Sequence, residues 1–220
     1  MIDLVQAFWK PVGWTSFDVV KKLRGITGVK KVGHTGTLDP FAEGILLLCF
    51  GIATKRSAEF MQLEKEYIGT ISLGVATDTI DPTGQITEEQ EVAQLSEAQI
   101  RAACTNFVGK IVQIPPMFSA KKVGGERLYK KARRGESVQR EPHEVVIHSI
   151  ELLTYEPPNE FTIKVTCGKG TYIRVLADDI AKTLNTVGHL KQLIRTRIGP
   201  YDRSKALDMQ QAENWKPIAA

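Results

Sequence analysis

The chain has 220 residues, of which 42% are hydrophobic and 25% charged, and its formal net charge is +4. This composition is typical of a globular protein and excludes a disordered or fibrous chain. The longest apolar run, residues 45–50, is far shorter than the about 20 residues of a membrane-spanning helix. The N-terminus lacks a secretory signal, and three dispersed cysteines favour a reducing compartment. We therefore expect a soluble, cytoplasmic protein that contacts no membrane.

The positive charge is concentrated in one segment. Residues 121–140 contain eight cations opposed by Glu126 and Glu136, so eight minus two leaves this segment at +6 and the rest of the chain at −2. A local basic patch indicates a polyanionic partner. The alternative interpretation is a solvated, lysine-rich helix face.

Local patterns in the first third of the chain predict a helix and a buried strand. Thr15 and Asp18 have the spacing of a capping box, and Val19, Val20 and Leu23 supply an apolar side before Gly25. A loop rich in glycine and lysine follows over residues 28–36. The apolar residues 45–50 are then typical of a strand buried on both faces.

The remaining patterns predict interleaved strands and helices. Residues 67–73 and 161–167 alternate as strands, and residues 81–84 have turn chemistry. A helix is predicted over residues 96–108, with Ser96 and Gln99 as a capping box and Gly109 at its end. A second is predicted from Ile173 to Leu184. We expect a mixed α/β (α+β) sheet with flanking helices in a single domain over residues 1–220.

The densest cluster of polar and turn residues is residues 33–44, which contains Asp39. Pro40 biases Asp39 towards an extended backbone, and the nearby glycines permit sharp turns and the close approach of a ligand. The loop leads into the buried strand, so a rigid base can aim the carboxylate. The alternative is an ordinary turn aspartate before a proline.

Several other chemistries are excluded by their missing motifs. The chain has no phosphate-binding Gly-x-x-x-x-Gly-Lys-Ser/Thr and no Gly-x-Ser-x-Gly nucleophile elbow. Its four histidines and three cysteines show no metal-ligand spacing. We therefore expect a carboxylate-based site that uses no metal and no cofactor.

Six segments together carry a family resemblance. They are residues 10–16 (KPVGWTS), 33–40 (GHTGTLDP), 65–67 (KEY), 77–84 (TDTIDPTG), 114–120 (IPPMFSA) and 169–174 (KGTYIR). In this order they resemble the tRNA pseudouridine-55 synthases of the TruB type. The resemblance implies a pseudouridine-synthase-like, largely antiparallel mixed sheet with a protruding basic arm, here called the thumb (residues 119–143). It also implies isomerisation of uridine at position 55 of the tRNA T-loop, with the uridine flipped out of its stack.

The resemblance assigns three catalytic residues. Asp39 matches the aspartate of the covalent step, and whether it attacks the sugar or the base, or removes a sugar proton, is left open. Tyr67 matches a tyrosine that stacks on the flipped base and assists proton removal; a core aromatic is the alternative. Arg174 matches the basic partner of the aspartate; a surface arginine paired with Asp178 is the alternative.

The resemblance also implies residues that bind the RNA. His34 would fill the stack that the uridine leaves, and Leu190 would line the base pocket unless it is a core residue. The further substrate-binding residues are Lys10, Tyr172, Lys121, Lys130 and Arg133, the last three within the thumb. The thumb would become ordered on RNA and grip the T-loop.

The expected partner is tRNA, contacted at its T-loop and T-stem by a monomer. The chain continues only briefly past residues 198–201, so we expect no separate C-terminal RNA-binding domain. The first alternative function is a non-catalytic tRNA-binding or folding factor of the same fold. The second is an RNA-guided synthase similar to the box H/ACA enzymes, which share the Gly-His-x-Gly-x-Leu-Asp-Pro core but depend on a large C-terminal module.

Overall fold

The computed structural model describes residues 2–217. Their contacts divide the chain into two compact units: the first runs up to Tyr67 and resumes at Leu193, and the second covers Ile68–Gln192. The grouping of residues 1–220 into one catalytic domain stays a prediction.

The elements alternate along the chain as the sequence patterns predict. The strands are β1 (Asp3–Lys10), β2 (Val32–His34), β3 (Glu43–Gly51), β4 (Lys65–Leu73), β5 (Val75–Thr77), β6 (Ile86–Glu89), β7 (Gly109–Gln113), β8 (Lys122–Val123), β9 (Glu126–Arg127), β10 (His143–Glu156), β11 (Glu160–Cys167), β12 (Gly188–Ile198) and β13 (Ala206–Leu207). The α-helices are α1 (Ser16–Thr27), α2 (Ser57–Gln62), α3 (Glu97–Thr105), α4 (Leu128–Ala132), α5 (Ile173–Thr183) and α6 (Met209–Glu213). Short 3₁₀ helices cover Ile52–Arg56 and Arg203–Lys205.

The sheet of the first unit is centred on β3. Strand β1 lies antiparallel to β3 and parallel to β13, while β2 adds antiparallel to β3. The second half of β12 pairs in parallel with β3, with Ile194 opposite Glu43. Leu46 and Leu48 pack with apolar residues of α1 on one face of β3, and Ile45 and Leu47 pack in a second cluster on the other. Both faces are covered, which confirms the predicted buried strand.

The strands of the second unit follow the order β4, β11, β10, β7. Strand β10 lies antiparallel to both β11 and β7, and the inward positions of β11 alternate as predicted. Helix α5 buries Ile173, Leu176, Ala177 and Ile180, which confirms its predicted apolar face. Strands β5 and β6 form a separate two-stranded sheet.

Three predicted elements differ in extent from those in the structure. Helix α1 continues through Gly25 and ends at Gly28, whose φ of 69° provides the left-handed cap. Helix α3 ends at Thr105 rather than near residue 108, and Val108 is 45% exposed in the following turn. The loop over residues 28–36 contains β2, because β3 offers a free edge for pairing there.

None of the helices within residues 2–217 combines the length and apolarity needed to cross a membrane.

Candidate active site

Two of the six motif segments meet in the first unit. The Gly13 N–H donates to the carbonyl oxygen of Pro40 at 2.7 Å. Ser16, at the start of α1, binds Leu38 with both functions of its hydroxyl, accepting from the amide at 2.8 Å and donating to the carbonyl at 3.2 Å. The segments on both sides of Asp39 are therefore fixed to the N-terminal end of α1.

A buried arginine supports the same loop from β12. Arg195 is 1% exposed. Its guanidinium donates to the carbonyl oxygens of Ile45, Thr37 and Gly36 at 2.7, 3.3 and 3.3 Å. These three backbone acceptors replace the hydration that the cation loses on burial. Arg195 thus ties the residues before Asp39 to the first residues of the buried core of β3.

Lys10 lies beneath this loop as a second buried cation. Its side chain is fully buried, and Nζ donates to the carbonyl oxygens of Pro11 at 2.9 Å and Trp14 at 2.7 Å. Burial lowers the pKa of Lys10 to about 8, partly opposed by the nearby Asp39 carboxylate, which raises it. Because the pKa of Lys10 lies close to neutral pH, the charge beside the Asp39 carboxylate changes with pH.

Asp39 and His34 lie in the same unit as Lys10. Asp39 is half-buried, and its carbonyl oxygen accepts from the Ala42 N–H at 3.2 Å, which closes the turn after it. His34 is half-buried at the end of β2, opposite Leu48 of β3. Its Nδ1 accepts from the Gly36 N–H at 3.4 Å. The structure therefore gathers Lys10, His34 and Asp39 around one rigid loop.

Tyr67 lies on β4, where the buried positions alternate. It shares the inward side of the strand with Gly69, Ile71 and Leu73, as predicted, and is 8% exposed. Its catalytic role stays a prediction.

Arg174 is the meeting point of three motif segments in the second unit. It is 3% exposed, and its guanidinium donates to the carbonyl oxygens of Thr79 at 2.6 Å and Phe118 at 2.7 Å. It also lies 3.2 Å from a carboxylate oxygen of Asp81, which is 4% exposed. The alternative of a surface arginine is wrong, because Arg174 is buried; Asp178 pairs with the exposed Lys182 at 2.6 Å.

Tyr172 and Leu190 are the other two predicted site residues of this unit outside the thumb. Tyr172 precedes α5, and its backbone is held by the side chain of Gln113. Leu190 is fully buried, and a Cβ added to Gly69 would lie 3.1 Å from its Cδ1. Leu190 therefore packs closely against the backbone of β4.

The thumb has its own secondary structure. Strands β8 and β9 form a hairpin whose turn residues, Gly124 and Gly125, have φ values of 62° and 83°, as a two-residue type I′ turn requires. Helix α4 follows and buries Leu128. Lys130 is exposed and Lys121 half-buried.

The eight cations of the thumb are not equivalent. Arg133 is exposed and its guanidinium lies 5.6 Å from the centre of the Tyr129 ring. Arg134 instead pairs within the thumb, with two contacts of 2.8 Å to Glu126 and one of 2.7 Å to Glu136. These hydrogen bonds lower the pKa values of both carboxylates. Only part of the basic charge is therefore directed to solvent.

Arg195 and Gln113 are site-supporting residues that the sequence reasoning missed. The pattern did contain a signal for each. Arg195 is in phase with the buried Leu193 on β12, and Gln113 is in phase with Ile111 on β7. A polar residue on the inward side of a strand requires buried partners.

The fold is similar to that of chains in two solved complexes. A chain of a Cbf5-Nop10-Gar1 complex aligns with a TM-score of 0.73 and 27% identity, over 94% of this chain and 52% of that chain. A chain of the archaeal box H/ACA sRNP Nop10-Cbf5 complex aligns with a TM-score of 0.70 and 24% identity, over 96% and 53%. This chain thus spans about half of each. The predicted class, a mixed, mostly antiparallel sheet with flanking helices, is confirmed.

The sequence matches give the family. Residues 24–173 match the N-terminal domain of the TruB family pseudouridylate synthases, and the chain belongs to this family. A tRNA pseudouridine synthase B from Caldanaerobacter subterraneus is 43% identical over 215 residues, which are 98% of this chain and 75% of that protein. Another tRNA pseudouridine synthase B, from Symbiobacterium thermophilum, is 45% identical over 212 residues, which are 96% of this chain and 71% of that protein.

Proposed function

We propose that this protein is an enzyme that isomerises uridine to pseudouridine at position 55 in the T-loop of tRNA. The observation that carries the proposal is the loop around Asp39, which Ser16, Gly13 and Arg195 hold on both sides. Such support is what a carboxylate needs when it must meet a substrate atom in one orientation. Membership of the TruB family and the 43% identical tRNA pseudouridine synthase B supply the reaction.

The reaction rearranges one nucleotide without adding or removing atoms. The bond between the base nitrogen and the sugar breaks, the base turns, and a carbon–carbon bond forms. The target uridine has to leave its stack first, which costs a few kcal/mol. His34 would fill the space that the base leaves, and Leu190 would contact the flipped base. Asp39 supplies the carboxylate for the covalent step.

Arg174 is proposed as the cationic partner of Asp39. Its contacts with Thr79, Asp81 and Phe118 fix the guanidinium within the second unit. A guanidinium has five N–H donors in a planar fork, so it binds an additional carboxylate without losing backbone acceptors. The positive charge would keep Asp39 ionised. Tyr67 is proposed to stack on the base and to assist removal of its C5 proton.

The thumb is proposed to bind the T-loop and T-stem phosphates. Lys121, Lys130 and Arg133 supply charge for this contact, and Arg133 already lies over an aromatic ring as a pre-ordered cation. Tyr172 would contribute from the segment before α5. Lys10 is fully buried at the end of β1, so it is proposed to act on the substrate only through the charge that it places near Asp39. We further propose a cytoplasmic monomer that uses no metal and no cofactor.

Pseudouridine mapping on a defined substrate tests the function. The purified chain is incubated with EDTA and either unmodified tRNA or the same tRNA carrying cytidine at position 55. We expect pseudouridine at position 55 of the first RNA and at no position of the second. Tight tRNA binding without any pseudouridine would instead identify a non-catalytic binding factor. Activity that requires an added guide RNA would identify the RNA-guided class.

A further inference from the structure

A buried glutamine clamps the backbone of Tyr172. Gln113, the last residue of β7, is 1% exposed. Its side-chain amide donates to the carbonyl oxygen of Tyr172 at 3.2 Å and accepts from the Tyr172 N–H at 2.9 Å. Both functions of the amide are therefore used on one residue. This pair of bonds fixes the backbone immediately before α5, on which Arg174 is the second residue.

A histidine holds the same segment from the next strand. His143, the first residue of β10, lies directly opposite Gln113 in the antiparallel pairing of β10 and β7. Its Nε2 lies 3.1 Å from the carbonyl oxygen of Gly170. Because a carbonyl oxygen only accepts, Nε2 carries the proton. The ring also meets the Tyr172 ring edge-on, with 5.9 Å between centroids.

These two residues are also the last residue of β7 and the first of β10, the two strands between which the thumb is inserted. The chain leaves β7 at Gln113, passes through the thumb and returns to β10 at His143. At the entrance to the thumb, the carbonyl oxygen of Phe118 accepts from Arg174. Gln113, Phe118 and His143, which lie at or just before the ends of the thumb, are thus each hydrogen-bonded to residues 170–174.

We propose that Gln113 and His143 are positioning residues that couple RNA contact by the thumb to the placement of Tyr172 and Arg174. The inference rests on the proposed function. A displacement of either end of the thumb acts on residues 170–174 through these hydrogen bonds of 2.7 to 3.2 Å. The segment that carries Arg174 therefore reaches its working position when the thumb is engaged by RNA.

The test uses His143→Phe, which keeps a ring against Tyr172 and removes the bond to Gly170. Gln113→Glu, which keeps the acceptor for the Tyr172 N–H and removes the donor, is the second variant. His148→Phe is the matched control, because His148 is an exposed histidine of the same strand. Single-turnover rates at saturating tRNA and tRNA affinity are measured for each.

We expect the rate to fall about tenfold or more in both test variants, since small misplacements of catalytic groups have effects of this size. The affinity for tRNA should change less than about twofold, which is small beside a tenfold step of 1.4 kcal/mol. The control should match the unchanged protein. Unchanged rates in both test variants would overturn the proposal, as would a loss of affinity that accounts for the whole effect.

Two further measurements separate coupling from a general structural role. In the Lys130→Gln/Arg133→Gln thumb variant, His143→Phe should reduce the rate by a smaller factor than it does in the unchanged protein. The reason is that the contact between the thumb and the RNA, on which the coupling depends, is already weakened. Independent, multiplicative effects would refute coupling. Hydrogen exchange of residues 168–174 should slow on tRNA binding, and less so in His143→Phe; this readout needs binding but no turnover, so it is separable from failure of the proposed function.

Discussion

Ser16 and Leu38 bind each other through two hydrogen bonds, and this pair joins the start of α1 to the residue before Asp39. Ser16→Ala leaves the buried amide and carbonyl of Leu38 without this partner, which costs about 1–3 kcal/mol of stability. We expect the single-turnover rate to fall more than tRNA affinity does, because the loop and not the RNA-binding surface is disturbed. Ser149→Ala, in β10, is the control and should change neither quantity.

Asp39→Asn tests the carboxylate directly. An amide of nearly the same shape cannot supply a negative charge or a carboxylate nucleophile. Pseudouridine formation should fall below detection while tRNA affinity stays within about threefold, a change of less than 1 kcal/mol. Turnover at the rate of the unchanged protein would refute the catalytic assignment of Asp39.

The loss of the Lys10 proton should make the single-turnover rate decrease at high pH. The pKa of Lys10 is lowered to about 8, so the side chain is charged below that pH and loses its proton above it. As the pH rises through 8, the positive charge beside Asp39 is lost and the single-turnover rate should fall. Lys10→Met should be slower at pH 7 and lack this decrease.

Equilibrium unfolding gives an independent reading of the same pKa. The unfolded chain holds the Lys10 proton up to about 10.5, whereas the folded protein releases it near 8. The unfolded state therefore binds more protons between these values, and the free energy of unfolding should rise there relative to Lys10→Met. A difference between the two proteins that is constant from pH 7 to 10 would contradict the shift.

The salt dependence of tRNA binding should report the thumb cations. Lys130→Gln combined with Arg133→Gln should weaken affinity and reduce the slope of log affinity against log salt by up to about 1.4, at about 0.7 per phosphate contact. Lys182→Gln is the control, because Lys182 is exposed outside the thumb and pairs with Asp178. An unchanged slope in the double variant would remove the thumb from RNA binding.

Two glycines of the first unit should respond to alanine in opposite directions. A Cβ at Gly44, where φ is 120°, would lie 2.3 Å from the carbonyl oxygen of Arg195. Gly44→Ala should therefore destabilise strongly or prevent folding, since the clash is with backbone of the neighbouring strand. Gly25 lies inside α1 with open space around it, so Gly25→Ala should stabilise by about 0.5–1 kcal/mol in urea unfolding.

Local chemistry made the starts of helices predictable and left their ends less so. The capping boxes at Thr15 and Ser96 are both present, because side chain and backbone partners lie within three residues. The predicted end of α1 at Gly25 is wrong because a glycine ends a helix only where the chain needs a left-handed residue, which is Gly28. That need arises from the path the chain takes afterwards, which local spacing does not contain.

In the site, too, local motifs were predictable and long-range contacts were not. Family motifs locate Asp39 and Arg174, and the structure adds the buried acceptors that hold each segment. The support from Arg195 comes across about 150 residues of sequence, as its bond to Ile45 shows. Contacts of such separation depend on strand pairing, so the sequence pattern indicates that a buried arginine needs partners without saying which.

The clamp of Arg134 between Glu126 and Glu136 means that the thumb carries an internal competitor for its own ligand. An incoming phosphodiester competes for this guanidinium with two carboxylates that already take four of its five N–H donors, and their negative charges repel the nucleic acid. Weakly placed polyanions are thereby disfavoured relative to an RNA whose shape engages the neighbouring cations at the same time. Selectivity for a folded stem-loop over an arbitrary strand can thus begin in the acidic residues of a basic segment.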